Sequence, residues 1–147
     1  MMAQVTLKLS GDKQLIAALN MLPERIDQRV TANAVRAGAR LIVKATKANV
    51  ESGGHVVTGH LLEGLSVRSK WYKASGVFAA YVGSRQRLAP HLHLLEKGHK
   101  GPHPAPAYPV LAPAFDATAG AARTKIEANF RRGVAREAAK LPKGPAR

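Results

Sequence analysis

The sequence predicts an α+β fold in which a small antiparallel sheet packs against a long N-terminal helix, with a C-terminal helix and an extended proline-rich loop. Three patterns lead to this prediction. The start of the chain alternates apolar and polar residues, as a half-buried strand does, and two long segments repeat their apolar residues at helical spacing. Residues 98–109 contain four prolines and two glycines, which exclude both helix and sheet. The length of 147 residues suits one domain, residues 1–147.

The composition narrows the possible classes of protein. The chain has no cysteine, which excludes disulfides and thiolate metal sites. Its first residues lack the apolar core of a signal peptide, and no segment approaches the roughly 20 apolar residues of a membrane span. We therefore expect a protein made and kept in a cytoplasm. The net charge of +14 indicates an acidic partner or nucleic acid, although the charge is spread along the chain rather than held in a tail.

The N-terminal third is predicted to contain a strand within residues 1–10 and a long basic helix over residues 13–49. Pro23 marks a bend or restart of this helix, since proline suits the first turn of a helix and not its interior. At 100° per residue, one apolar side of the helix is expected to consist of Val30, Ala34, Leu41, Ala45 and Ala48.

A basic stripe runs beside that apolar side. Its six cations fall within a sector about 100° wide on a helical projection. They are Arg25, Arg29, Arg36, Arg40, Lys44 and Lys47. Two interpretations stay open: a solvated helix face, or a surface that meets DNA or an acidic protein.

The remaining elements follow in order. Residues 58–83 are predicted to form a short helix capped by Thr58 and then a hairpin of two strands. A short helix is expected over residues 88–95, the proline-rich loop over residues 98–112, and the C-terminal helix over residues 113–139, with a frayed tail at 140–147. Its apolar side is expected to consist of Phe115, Ala119, Ala122, Ile126, Phe130 and Val134.

Histidines cluster around the proline-rich loop, and they raise the question of a metal site. His91, His93, His99 and His103 lie there with Glu96, and zinc accepts both residue types. Their spacing does not place three of them on one face, and no carboxylate is available to orient them. We therefore predict no metal and no cofactor.

The sequence also lacks the motifs that are typical of catalysis and of sequence-specific DNA recognition. No serine stands in a nucleophile elbow, and the glycine-rich residues 52–59 lack the lysine of a phosphate-binding loop. There is no zinc finger, aromatic stacking platform or basic region with heptads. The sequence therefore predicts a protein that is not an enzyme.

The order of elements resembles a known family. The strand and basic helix are followed by Thr58-Gly59-His60-Leu61, a hairpin, and a helix ending Leu94-Leu95-Glu96-Lys97-Gly98. After the proline loop comes the run Pro109-Val110-Leu111-Ala112-Pro113-Ala114-Phe115-Asp116. Over roughly residues 3–135 the chain resembles the tail-completion, or head–tail joining, proteins of long-tailed double-stranded-DNA phages, the gene-ten-like neck and tail proteins.

The resemblance implies a structural virion protein without catalytic residues. Such a protein forms a ring, which we expect to be sixfold, at the head–tail junction or tail top. Its partners would be adjacent neck or connector proteins and tail tube or terminator proteins, with duplex DNA passing through the lumen. A stiff proline loop loses little conformational entropy on docking, so we expect it to leave the body and contact a neighbouring subunit or ring. The expected interface residues are Glu96, Gly98, His99, Pro102, His103, Pro104, Pro106, Tyr108 and Pro109.

Two other functions stay open from the sequence. A small basic DNA-binding protein would explain the charge, and it would bind duplex DNA in a salt-sensitive manner. A histidine-metal hydrolase would need stoichiometric zinc. For the basic stripe we favour an acidic protein partner over DNA, since DNA must slide through a neck during ejection.

Overall fold

The computed structural model describes residues 3–5, 24–54, 59–85 and 87–140. The predicted residues 6–23, Thr58 and the tail beyond 140 lie outside this part. The described elements are β1 (Ala3–Val5), α1 (Glu24–Ser52), α2 (His60–Gly64), β2 (Leu65–Tyr72), β3 (Val77–Ser84), α3 (Leu92–Lys97) and α4 (Leu111–Ala138). The predicted α+β class is confirmed.

The sheet has three strands in the order β1-β3-β2, and both pairings are antiparallel. Residues 73–76 close the β2–β3 hairpin, where Gly76 takes the left-handed conformation with φ 63°. Because side chains alternate along a strand, the pairs Val67–Val82 and Ser69–Ala80 share one face. Val82 and Ala80 belong to a buried cluster with residues of α1 and α4, so this is the face on which the helices pack.

Helix α1 is the central element because its buried side chains reach three successive clusters. Val30 and Ala34 pack against α4, Ala39 and Ile42 pack against α4 and the sheet, and Val50 packs against the region of α2 and α3. The buried positions recur every four residues, at Val30, Ala34, Gly38, Ile42, Thr46 and Val50. Such a row turns about 40° around the helix at each step, so the core side changes along α1.

The predicted apolar side of α1 is therefore wrong in its second half. Val30 and Ala34 are buried as expected, but Leu41 and Ala45 are only half-buried and Ala48 is exposed. Ile42, Thr46 and Val50 take their place in the core. The buried hydroxyl of Thr46 is satisfied, because it donates to the carbonyl oxygen of Ile42 at 2.8 Å.

Helices α1 and α4 run antiparallel and approach closely at two glycines. A Cβ atom at Gly38 would overlap the side chain of Ile126, and one at Gly133 would lie 2.6 Å from Cγ1 of Val30. The buried side of α4 agrees with the prediction at Ala122, Ile126, Phe130 and Val134. Phe115 and Ala119, predicted for the same side, are half-buried.

Element boundaries differ from the predictions in instructive ways. Within the described residues α1 starts at Glu24, directly after Pro23, and it continues to Ser52. The short helix predicted over residues 88–95 lies at Leu92–Lys97. Helix α4 starts at Leu111 rather than Pro113, so the loop is two residues shorter than predicted. None of the described helices is long and apolar enough to cross a membrane.

Candidate functional site

The candidate site has two parts, which we name the proline arm (residues 98–109) and the basic face (Arg29, Arg36, Arg40, Lys44 and Lys47). The arm joins α3 to α4, and the basic face lies on α1.

The base of the proline arm is closed by backbone hydrogen bonds. The N–H of His99 donates to the carbonyl of Ala105 at 3.0 Å, and the N–H of Ala105 donates back at 3.1 Å. This pair forms an isolated antiparallel bridge. Closer to the body of the protein, the N–H of Tyr108 donates to the carbonyl of Leu95 at 2.8 Å. The arm is thus a narrow hairpin-like projection whose tip is residues 100–104.

Glu96 fastens the arm to the body. Its Oε2 atom accepts hydrogen bonds from the N–H groups of Val110 and Leu111 at 2.9 and 3.1 Å, and its Oε1 atom accepts one from Ala112 at 2.9 Å. The next residue is Pro113, which has no N–H. All four N–H positions that an α-helix leaves open at its start are therefore satisfied or absent, and the negative carboxylate meets the positive end of the helix dipole.

This cap explains why α4 begins earlier than predicted. With Glu96 holding three N–H groups, the first turn can start at Leu111, and Pro113 still lies within that turn, where proline is tolerated. Glu96 was predicted as an interface residue. The structure gives its carboxylate a role within the chain, at the start of α4, and contact with a neighbour stays a prediction.

Gly98 lets the chain turn sharply into the arm. Its backbone has φ 70° and ψ 172°, which side-chain-bearing residues rarely adopt. A Cβ atom at this position would lie 2.7 Å from the backbone nitrogen of Ala107 and 2.8 Å from the carbonyl oxygen of Ala105. Both the dihedral angle and the close packing of the returning chain therefore require glycine.

The arm beyond its base is open to solvent. Residues 100–109 are all exposed, and Tyr108 retains 43% of its accessible surface. From Pro104 to Pro109 the exposed side chains are only proline, alanine and tyrosine. This exposure meets the requirement of the predicted contact, because a loop lying flat on its own subunit would have buried these residues. The contact itself stays a prediction.

The histidines of this region make local contacts. His93 Nδ1 donates to the carbonyl of Pro90 at 2.8 Å, and His99 Nδ1 accepts from the N–H of Ala105 at 3.2 Å. His91 and His103 are exposed. Throughout the described ranges, no three histidine, aspartate or glutamate side chains come together as metal ligands would.

Most of the basic face is exposed, and its side chains make no ion pair within the described residues. Arg29, Arg36, Arg40 and Lys44 are exposed and Lys47 is half-buried, whereas the side chain of Arg25 is not described. In the described part of the chain the ion pairs are Arg123–Glu127 and Lys140–Glu137, both on or next to α4. The cations of α1 are therefore not neutralised by neighbouring carboxylates there.

Arg36 differs from the other members of the basic face. Its Nε atom donates to the hydroxyl of Ser69 at 2.8 Å, and its guanidinium carbon lies 5.9 Å from the centre of the Phe78 ring. Both partners lie on the helix-facing side of the sheet. Arg36 therefore joins α1 to the hairpin as well as contributing charge.

Two arginines that were not predicted as site residues lie beside Arg29. Arg132 and Arg136 of α4 line the same groove as Arg29 at the crossing of the two helices. The sequence could not place them next to α1, because this depends on the antiparallel contact of Val30 with Gly133.

The outer face of the sheet holds a pair of tyrosines. The hydroxyls of Tyr72 and Tyr81 lie 2.5 Å apart across β2 and β3, and Lys70 Nζ lies 4.9 Å from the centre of the Tyr72 ring. The hydrogen bond with Tyr72, helped by partial burial, raises the pKa of Tyr81 above its ordinary value.

Comparison with known proteins gives no relative for this chain. No family model, no curated protein and no solved structure matches it. The function is therefore inferred from the chain's own residues and from the resemblance in its order of motifs.

Proposed function

We propose that this chain is a structural subunit of a phage neck or upper tail end, which forms a ring that completes the tail and joins it to the head. It acts by contact rather than by catalysis, without a cofactor. In the virion its neighbours are further copies of itself and the adjacent neck, connector, tube or terminator proteins.

The proline arm is the observation that carries this proposal. Its tip is exposed, its base is closed by the His99–Ala105 bridge, and Glu96 ties it to α4. An arm whose shape is set before binding loses little entropy when it docks. An exposed apolar strip on a projecting arm is also typical of a subunit contact rather than of a catalytic loop. In a ring, each arm meets the same surface of the next copy.

The direct test is cryo-electron microscopy of the particles that contain this chain. We expect density for a closed ring at the head–tail junction or tail top, with residues 100–109 buried against an adjacent subunit or ring. Absence of the chain from purified particles would contradict the proposal.

A variant of the arm tests the contact separately. Replacing residues 100–104 with a glycine-serine segment of equal length keeps the base bonds of His99 and Ala105 and removes the stiff tip. We expect a stable monomer that fails to produce complete particles in a complementation assay. The matched control replaces residues 73–76, the exposed turn of the β2–β3 hairpin, with glycine and serine. Equal loss with both variants would mean that the arm has no special role.

A small basic DNA-binding protein is the second candidate. It is favoured by the net charge of +14 and by the basic face, whose side chains make no ion pair within the described residues. The two proposals differ in their prediction for particles, since a free DNA-binding protein would be found in the infected cell and not at a fixed place in the virion.

A further inference from the structure

A polar groove lies where the start of α1 crosses the end of α4. It has a volume of about 200 Å³ and is partly open to solvent. Three arginines line it, Arg29 from α1 and Arg132 and Arg136 from α4, together with Asn33 and Asn129. The groove therefore presents guanidinium groups from two different helices to one space.

The charge of this groove is not balanced. Glu137 is the one carboxylate among its described lining residues, and its Oε1 atom already accepts from Lys140 Nζ at 2.9 Å. Arg29, Arg132 and Arg136 make no ion pair with any carboxylate in the described ranges. Arginine is the residue best suited to paired hydrogen bonds with a tetrahedral or planar anion. Three guanidiniums that line one groove and make no ion pair within the described residues favour such a ligand.

The helix packing fixes this arrangement. Gly133 lies between Arg132 and Arg136 on α4, and its missing side chain lets Val30 approach within a distance that a Cβ atom would not allow. Val30 directly follows Arg29. The close contact therefore holds the three arginines together through rigid helices and not through loops.

The groove continues into the basic face. From Arg29 to Lys47 the cations extend along α1 for about 27 Å at 1.5 Å per residue. Beyond the groove the members are Arg36, Arg40, Lys44 and Lys47. A compact anion would fill the groove and leave this row unused, whereas a long polyanion would contact both.

The surroundings of this surface distinguish nucleic acid from an acidic protein. Protein interfaces have an apolar core, whereas interfaces with DNA are more polar and more positive. Among the described residues the exposed large apolar side chains are Val77, Leu88 and Tyr108, and none of them is on α1 or α4. Within the described residues, the polar, basic side of the two helices thus lacks the apolar anchors that a protein partner would need, and this reverses the preference for an acidic protein that the sequence suggested.

We propose that the groove and the basic face bind the phosphodiester backbone of duplex DNA without reading its sequence. Arg29, Arg132 and Arg136 contact neighbouring phosphates at the groove, and Arg40 and Lys44 contact the backbone further along. This contact gives the second candidate function, binding of duplex DNA, a defined surface, and it does not depend on the proposed ring, since the isolated subunit carries the whole surface.

The test measures binding of the purified full-length chain to a 30-base-pair duplex of arbitrary sequence by fluorescence anisotropy at several salt concentrations. Each lost phosphate contact should weaken binding about 8-fold at 0.1 M salt and reduce the slope of log K against log salt by about 0.9. We expect this loss for Arg132→Gln and for Arg136→Gln, and about 60-fold weaker binding for the double variant.

Arg131→Gln is the matched control. It removes the same charge from the adjacent residue of the same helix, and Arg131 is exposed but does not line the groove. We expect less than a 2-fold change in affinity. An equal effect of Arg131→Gln and Arg132→Gln would show that the groove is not the binding site, because affinity would then follow net charge alone.

A competitor separates DNA from an acidic protein. Poly-glutamate at the same concentration of charges should displace the duplex at least ten times less effectively than unlabelled duplex does. Equal competition would assign the surface to an acidic protein and overturn the proposal. If the purified chain does not bind the duplex, the proposed DNA contact is wrong. The proposed ring is tested separately by cryo-electron microscopy of particles, so the two proposals can fail independently.

Discussion

At the scale of single residues, Glu96 connects the arm to the core through hydrogen bonds and charge. Its carboxylate accepts from three N–H groups at the start of α4, so removing it leaves several donors of a helix end without partners. The same residue thus stabilises the body of the protein and sets the path by which the chain returns from the arm.

We predict that Glu96→Ala lowers the free energy of unfolding by about 2 kcal/mol, and that Glu96→Gln lowers it by about 1 kcal/mol because it keeps an acceptor without the charge. Urea unfolding followed by circular dichroism measures both. The control is Asp116→Ala, which removes an exposed carboxylate from α4 itself. A Glu96→Ala variant as stable as the control would show that the cap contributes nothing.

The tyrosine pair gives a residue-scale prediction about pH. The raised pKa of Tyr81 means that the folded protein holds this proton more tightly than the unfolded chain, whose value is 10.0. The stability from the Tyr72–Tyr81 bond is therefore complete below pH 10 and is lost as the pH rises through the higher folded pKa.

Tyr72→Phe removes the main cause of this shift, so the pKa of Tyr81 should fall towards 10.0. Titration of the labelled Tyr81 ring by NMR measures the change. Trp71→Phe alters the neighbouring residue on the opposite face of β2 and should leave the pKa of Tyr81 in place. A Tyr72→Phe variant with an unchanged pKa would mean that burial, and not the hydrogen bond, sets it.

At the scale of elements, the contact between α1 and α4 depends on glycines that have different surroundings. A Cβ atom at Gly38 would overlap Ile126 and lie 2.8 Å from the carbonyl oxygen of Ala122, whereas one at Gly120 would meet nothing within 4 Å. Both glycines are helical, so they share the same backbone preference for alanine.

We therefore expect opposite effects of the same substitution. Gly38→Ala should lower the free energy of unfolding by about 1–3 kcal/mol through overpacking, and Gly120→Ala should raise it by about 0.5–1 kcal/mol through helix propensity. Chemical denaturation of both variants provides the measurement. Stabilisation by Gly38→Ala would show that the two helices separate easily.

Elements also show what the sequence could predict. Both long helices, the hairpin and the proline loop followed from periodicity and from the positions of Pro and Gly, because these depend on local backbone chemistry. The core side of α1 did not follow in full. Leu41 is as apolar as Ile42 and Val50, and only the positions of the sheet and α3 decide which of these side chains are covered.

The candidate site was predictable to a similar degree. The stiffness of the arm and the stripe on α1 are properties of contiguous sequence. The role of Glu96 spans 14 to 16 residues across the arm, and the groove joins Arg29 to arginines more than a hundred positions away. Such partners are set by tertiary contacts, which residue spacing does not encode.

At the scale of the whole molecule, charge repulsion opposes folding. The net charge is +14. The two ion pairs of the described part join residues three or four positions apart and have exposed cations, so they contribute little to stability. Salt should therefore stabilise the isolated subunit by screening repulsion, while it weakens contact with a polyanion.

Raising sodium chloride from about 20 to about 300 mM at pH 7 should increase the melting temperature by about 2–5 °C. Fluorescence of Trp71 during heating reports it. The triple variant Arg29→Gln, Arg40→Gln, Lys44→Gln has a net charge of +11, and its melting temperature should respond less. A fall in melting temperature with salt would show that attraction outweighs repulsion in the folded chain.

The hydrogen bonds at the base of the proline arm make its tip a segment that can be exchanged independently of the rest of the chain. Since His99, Ala105, Leu95 and Tyr108 pair through their backbones, the five residues between 99 and 105 can change in length or chemistry without altering the body. Substitutions in these five residues could adapt the contact to a different neighbouring protein while the rest of the chain stays constant. An experimenter could likewise insert a short epitope after Gly101 and locate the subunit in an intact particle with an antibody.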